Sequence, residues 1–156
     1  MMFGFDVCIY LRQYHFLWDD TVIPNGFHLN TSGLSSSLAD TADSLYLNQV
    51  PNDVINCICV YDTGGYAPVR YQGEEKPMDN PTAQIRIRHA SLKAAEATAE
   101  RMYRMLDEIY HEIINERYYL KINGVSPPSY IGCDQVTTAG KAYEFVVNLN
   151  ATVKRR

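Results

Sequence analysis

Between residues 82 and 113 the hydrophobic period switches from two residues to about 3.6, and no other feature constrains the fold as tightly. Residues 82–89, TAQIRIRH, alternate: Ile85 and Ile87 fall on one side, Arg86 and Arg88 on the other. That is the pattern of a strand with one buried face and one wet, basic face. Ser91 then stands where an N-cap belongs. Behind it Leu92, Ala95, Ala99, Met102, Leu106, Ile109 and Ile113 recur at steps of three and four. They draw an apolar stripe about six turns long. Lys93, Glu96, Glu100, Arg104, Asp107 and Glu108 fall mostly elsewhere. A half-buried strand followed at once by a one-sided helix predicts a helix packed on a sheet.

The rest of the chain fits around that unit. Residues 5–18, FDVCIYLRQYHFLW, put Val7, Tyr10, Leu11 and Tyr14 on one face of a short helix. Residues 19–44 are rich in Ser, Thr, Asp, Asn and Gly and carry a Pro-Asn-Gly turn signal. They are expected to form a long polar loop, or an arm that orders against a partner. Residues 45–50 predict a short strand, closed by Pro51, Asn52 and Asp53. Residues 54–61 are apolar and β-branched enough for a central strand buried on both faces. A long connection over 62–81 follows, with its GGY, AP, KP and NP steps. Beyond the long helix, 118–122 and 129–133 read as strands with a tight turn at Asn123 and Gly124 between them, and 141–153 as a long closing strand. The expected fold is α+β over 1–156: one mixed or antiparallel sheet, a long amphipathic helix on one face and a short N-terminal helix.

Composition closes off several functions. With 156 residues, one domain can bury an adequate core. A net charge of −4 argues against a general binder of duplex DNA or anionic membrane, and the basic tail Lys154, Arg155 and Arg156 is too short to reverse it. Residues 1–11 place an Asp inside their apolar run and lack a basic start or a small-residue cleavage site, so no signal peptide is expected. No run reaches the roughly 18 apolar residues of a spanning helix, and the chain is expected to be made and kept in a cytoplasm. Cys8, Cys57, Cys59 and Cys133 are scattered, with no CxxC or HxxxH beside them. They are expected to be buried, reduced thiols, with no metal and no cofactor.

Two motifs raise enzymatic readings. In CICVYDTGGY, residues 57–66, an apolar run ends in Asp-Thr-Gly, as in an aspartic protease whose dyad forms by dimerisation. Tyr130, Ile131 and Gly132 faintly echo that family's second element. A long helix stands between the two, however, where such a protease needs strands. The plainer reading is an Asp at a strand end capping backbone amides, with glycine supplying positive φ. A small homodimeric protease using Asp62 stays as the alternative of another class. HEIIN at 111–115 lacks the second His of HExxH, so its zinc chemistry fails. No phosphate-loop, dinucleotide or serine-elbow motif occurs, and His15, His28, His89 and His111 show no triad spacing. Arg86 and Arg88, joined by His89, form a small basic stripe, either a solvated strand face or a contact surface. Twelve tyrosines lean towards assembly rather than catalysis, because Tyr adds contact area at low entropic cost.

The run PNDVINCICVYDTGGYAPVR, then NPTAQIRIRHAS, then EATAERMYRMLDEI, resembles the phage minor capsid and tail-terminator proteins. Asn123 with Gly124, and the closing Phe145, Val146, Val147 and Asn148, continue the likeness, which spans 45–153 in order. The resemblance implies a non-enzymatic virion protein of α+β fold that forms a hexameric ring with copies of itself. Such a ring caps the tail tube protein's polymer, ends its growth and offers a surface to the head–tail connector or neck protein. Phage DNA passes through its lumen without specific binding, and no membrane is involved. The implied place is the virion tail or neck, after assembly in the host cytoplasm. A neck or head-completion protein on the portal side is the nearest alternative. A closed ring needs two different patches on each subunit. Asp62, Gly64 and Gly65 are expected to shape the loop that supplies one, with Tyr66 and Arg70 touching partners and Arg86 and Arg88 adding a contact face.

Overall fold

The computed structural model describes residues 3–13, 45–49, 55–70, 72–73, 75–136 and 140–155. In chain order these form α1 (Phe3–Gln13), β1 (Leu45–Leu47), β2 (Cys57–Val69), β3 (Met78–His89) and α2 (Leu92–Asp107). There follow β4 (Tyr110–Ile114), β5 (Arg117–Gly124), β6 (Ser129–Val136) and β7 (Gly140–Lys154). The seven strands make one mixed sheet in the order β1-β2-β3-β7-β5-β4, with β6 also on β7. Only β1 and β2 run parallel.

β7 is the spine. One of its edges pairs with β3. Along the other, β5 takes residues 149–153 and β6 takes 140–146, both antiparallel. β5 and β6 therefore run in line as one partner strand, interrupted at 125–128. That segment is VSPP, and Pro127 and Pro128 have no amide for a ladder. The turn expected at Asn123 and Gly124 is thus corrected: Gly124 is still paired, opposite Leu149. It is glycine because a Cβ there would stand 1.9 Å from the Tyr103 ring of α2.

α2 starts as its sequence predicts. The Ser91 hydroxyl accepts from the Ala94 amide at 3.4 Å, and Ala95, Ala99, Met102 and Leu106 are buried. His89, expected on the basic stripe, faces the other way, and its Nδ1 accepts from the Ser91 amide at 2.9 Å. The expected run of helix to Ile113 is overturned. α2 ends at Asp107, Ile109 still packs into the core, and Ile113 is 67% exposed on β4. YHEII places its apolar residues at helical rather than alternating spacing, and pairing with β5 overrides that local pattern. Asn115 and Glu116 join the two strands with φ of 48° and 62°, the two-residue loop that twisted hairpins favour. Glu116 sits where glycine would be usual, so the sequence carries no hairpin signal there.

α1 begins at Phe3, two residues before its predicted start, and the expected residues 14–18 of that helix and the polar loop over 19–44 lie outside the described residues. α1 packs on β1, β2 and β3, and also touches β4 at the far end of the strand order. One eleven-residue helix can reach both ends only because the sheet curls around it. Phe3, Val7 and Leu11 fill that concave side beside α2. Asp6 is also fully buried there. Its carboxylate accepts from Arg117 Nη1 at 2.6 Å, from Asn115 Nδ2 at 2.9 Å and from the Tyr119 hydroxyl. A carboxylate this deep needs such donors to offset its lost hydration. Burial, then the bond to Asp6, pushes the Tyr119 hydroxyl well above its ordinary pKa.

Three of the four cysteines are buried as expected; Cys133 on β6 is exposed, which corrects the fourth. Burial pushes the Cys57 thiol up to about 11 although Arg88 beside it pulls the other way.

Candidate assembly surface

β2 crosses from the core to the surface along its length. Residues 57–60 are buried, 61 and 62 half-buried, and 63–69 exposed. The long connection expected over 62–81 is mostly strand, because β2 continues to Val69 and β3 resumes at Met78. Glycine and proline are absorbed by register shifts between Asp62 and Gly64 and between Tyr66 and Val69. Gly64 takes φ +96°, and a Cβ on Gly65 would lie 2.5 Å from the Asn80 carbonyl oxygen. A larger residue at either place could not hold this path.

Asp62 lies within the strand rather than on a turn at its end. Its Oδ1 accepts from the Gly4 amide at 2.6 Å, and its own amide donates to Asn48 Oδ1 at 2.9 Å. The carboxylate therefore caps the Gly4 amide in the first turn of α1, where the helix dipole favours a negative charge. The capping of a local turn that was expected of Asp62 is replaced by capping of a helix 58 residues away in sequence.

Past that point β2 forms an arm held to β3 by Thr63 to Thr82 at 2.9 Å and Asn80 to the Ala67 carbonyl at 3.3 Å. Tyr66 is 66% exposed, and Val69 and Arg70 are exposed beside it. Five of the expected site residues, Asp62, Gly64, Gly65, Tyr66 and Arg70, thus gather on one edge of the sheet. Arg86 and Arg88 do not join them. Both project from the helix-free face of β3, where Arg86 stands 5.3 Å over the Tyr61 ring and donates to Gln84 Oε1 at 3.0 Å. Arg88 is buried, so the wet basic stripe is reduced to Arg86 alone.

The opposite end of the sheet carries a second set, whose β4 members sequence reasoning missed because it placed that strand in the helix. Tyr110 and Ile113 on β4, and Tyr130 and Ile131 on β6, are all about half exposed or more. A shallow, mostly apolar groove lies there, lined by Met78, Tyr110, His111, Leu120, Lys121 and Thr152. Tyr110, Ile113 and Ile114 keep the helical spacing of α2, so no local signal marked this strand. Among the described residues no three His, Cys, Asp or Glu side chains gather to hold a metal. No helix among them is long and apolar enough to cross a membrane.

Residues 29–155 match the family model described as bacteriophage tail terminator protein. No curated protein matches the sequence. One solved structure is similar over 74% of this chain and 82% of its own length, at 10% identity and a TM-score of 0.44, a likeness too loose to argue from.

Proposed function

The chain belongs to the bacteriophage tail terminator family, a family of structural phage proteins, and on that premise we propose that it closes into a hexameric ring that caps the tail tube. The ring ends polymerisation of the tube protein and offers a joining surface to the head–tail connector. It acts as one unit over 1–156, assembles in the host cytoplasm and stays in the virion at the top of the tail. Phage DNA passes through its lumen without specific contacts. Its work is binding, and no bond of a substrate is made or broken.

The observation that supports this reading is that, apart from Leu92 on α2, the large exposed apolar side chains among the described residues fall at two ends of one sheet, Tyr66 and Val69 at β2 against Tyr110, Ile113, Val125, Tyr130 and Ile131 around β4 and β6. The ends are unlike, and a ring that closes head to tail needs unlike patches on each subunit. Aromatic side chains exposed in the free chain are natural anchors for such contacts. In this reading Asp62, Gly64 and Gly65 set the path of the arm, Tyr66 and Arg70 touch a neighbour, and Arg86 faces the tube or connector.

Negative-stain imaging of tubes grown from the cognate tube protein, with and without the chain, tests it. Capped ends and a fixed length distribution are expected. Unchanged tubes, with the chain bound to connector rings, would replace this reading with a head-completion protein on the portal side.

A further inference from the structure

Tyr66 and Tyr110 stand on one rung of the sheet. Tyr66 pairs with Asn80, and the Thr152 hydroxyl reaches Asn80 Oδ1 at 3.4 Å. Thr152 pairs with Lys121, and Lys121 with Tyr110. The rung runs from the β2 edge to the β4 edge, so the two aromatics lie at one height along the strands, at opposite ends. Beyond that rung, in the same direction along the strands, each side carries charged groups as well. The arm side carries exposed Arg70, with Glu75 and Lys76 further on, while the β4 side carries half-buried Glu112 and exposed Glu116 beside Arg117, which Asp6 already engages. Val69 pairs with Met78 and Met78 with Lys154, whereas Glu112 pairs with Tyr119 and Tyr119 with Val153. The basic and acidic groups therefore also lie near one level.

We propose that the groove at Tyr110 is filled by Tyr66 of a second copy of this chain, with Arg70 of that copy meeting Glu112 and Glu116. The inference rests on the ring reading and names the interface that would close it. Subunits related by rotation alone form a ring, and any rise per subunit turns the ring into an open helix. Two complementary patches on one rung meet without a rise when the rotation axis lies along the strands. Edge chemistry points to side-chain insertion rather than strand addition. The arm is shifted in register twice and carries Pro68, so it offers a broken ladder to a neighbouring strand. Its tyrosine ring, by contrast, suits an apolar groove with an ammonium, that of Lys121, on its wall.

The test combines Ala67→Cys, beside Tyr66, with His111→Cys, on the groove wall, in a Cys133→Ser background that keeps both tyrosines, and treats tube-bound protein with a short bismaleimide. Covalent multimers up to the full ring are expected from the double variant and none from either single variant. If the double variant caps tubes and no multimers form, the interface lies elsewhere and the ring reading survives. If the wild-type chain leaves tubes uncapped, the ring reading falls and takes this inference with it. A charge exchange supplies a second readout. Arg70→Glu should reduce capping at least about tenfold, and adding Glu116→Arg should restore most of it. A double exchange no better than Arg70→Glu would remove the ion pair from the proposal.

Discussion

The first four residues of β2 and its last seven belong to the same strand and pair with the same neighbour, β3, yet the first are buried and the last exposed. Hydrogen bonding to β3 therefore does not decide burial. For the core-facing Ile58 and Val60 the cover is α1, whose start is tied to Asp62 through the Gly4 amide. Up to Asp62 the concave side of β2 lies under helix; beyond it, among the described residues, no helix covers the strand and the side chains stay exposed. One carboxylate marks the border between the buried part of β2 and the exposed part, which the proposed function assigns to partners.

Substitutions on either side of that border can break or sharpen the division. Ile58→Ala, in the buried half, should cost about 2–5 kcal/mol in a denaturant titration with little change in slope. Next comes Gly65→Ala, which forces β2 off the Asn80 carbonyl; a loss of about 1–3 kcal/mol is expected by the same titration. Asp62→Ala removes the external cap of α1 and should cost about 0.5–2 kcal/mol, with faster amide exchange confined to the first turn of that helix. Tyr66→Ala should leave stability within about 0.5 kcal/mol of wild type while abolishing tube capping. Equal stability losses for Ile58→Ala and Tyr66→Ala would show that the arm is core after all, and the contrast would collapse.

Much of the frame was legible before any coordinates. The stripe from Ala95 to Leu106 depends on local spacing alone, and Ser91 announces its start. Residues 57–60 and the alternation of Ile85 and Ile87 likewise reach their predicted environments, and the order of motifs from 45 to 153 carried the family. Of the candidate site, the residue types around Asp62 stood out, but their use did not. Gly64, Gly65 and Pro68 read as a loop because those residues usually break strands. Here a bulged edge strand accommodates them, since an edge needs only one continuous ladder. Arg88 read as solvated from alternation, which gives a face but not what covers it. Asp6 was visible only as an anomaly in an apolar run; its three donors come from residues more than one hundred positions away.

The sequence by itself determined which segments carry helix or strand periodicity, where α2 begins and which side of it is apolar. These are outcomes of interactions within a few residues, and local spacing records them. Tertiary structure decided that YHEII pairs as β4 instead of extending α2, that β5 and β6 lie in line along β7, and that Tyr66 and Tyr110 share a rung at opposite ends of the sheet. Each of these depends on which strand takes the ladder of another. Backbone amides and carbonyls, the same at every residue but proline, make that choice only once the whole sheet is in place.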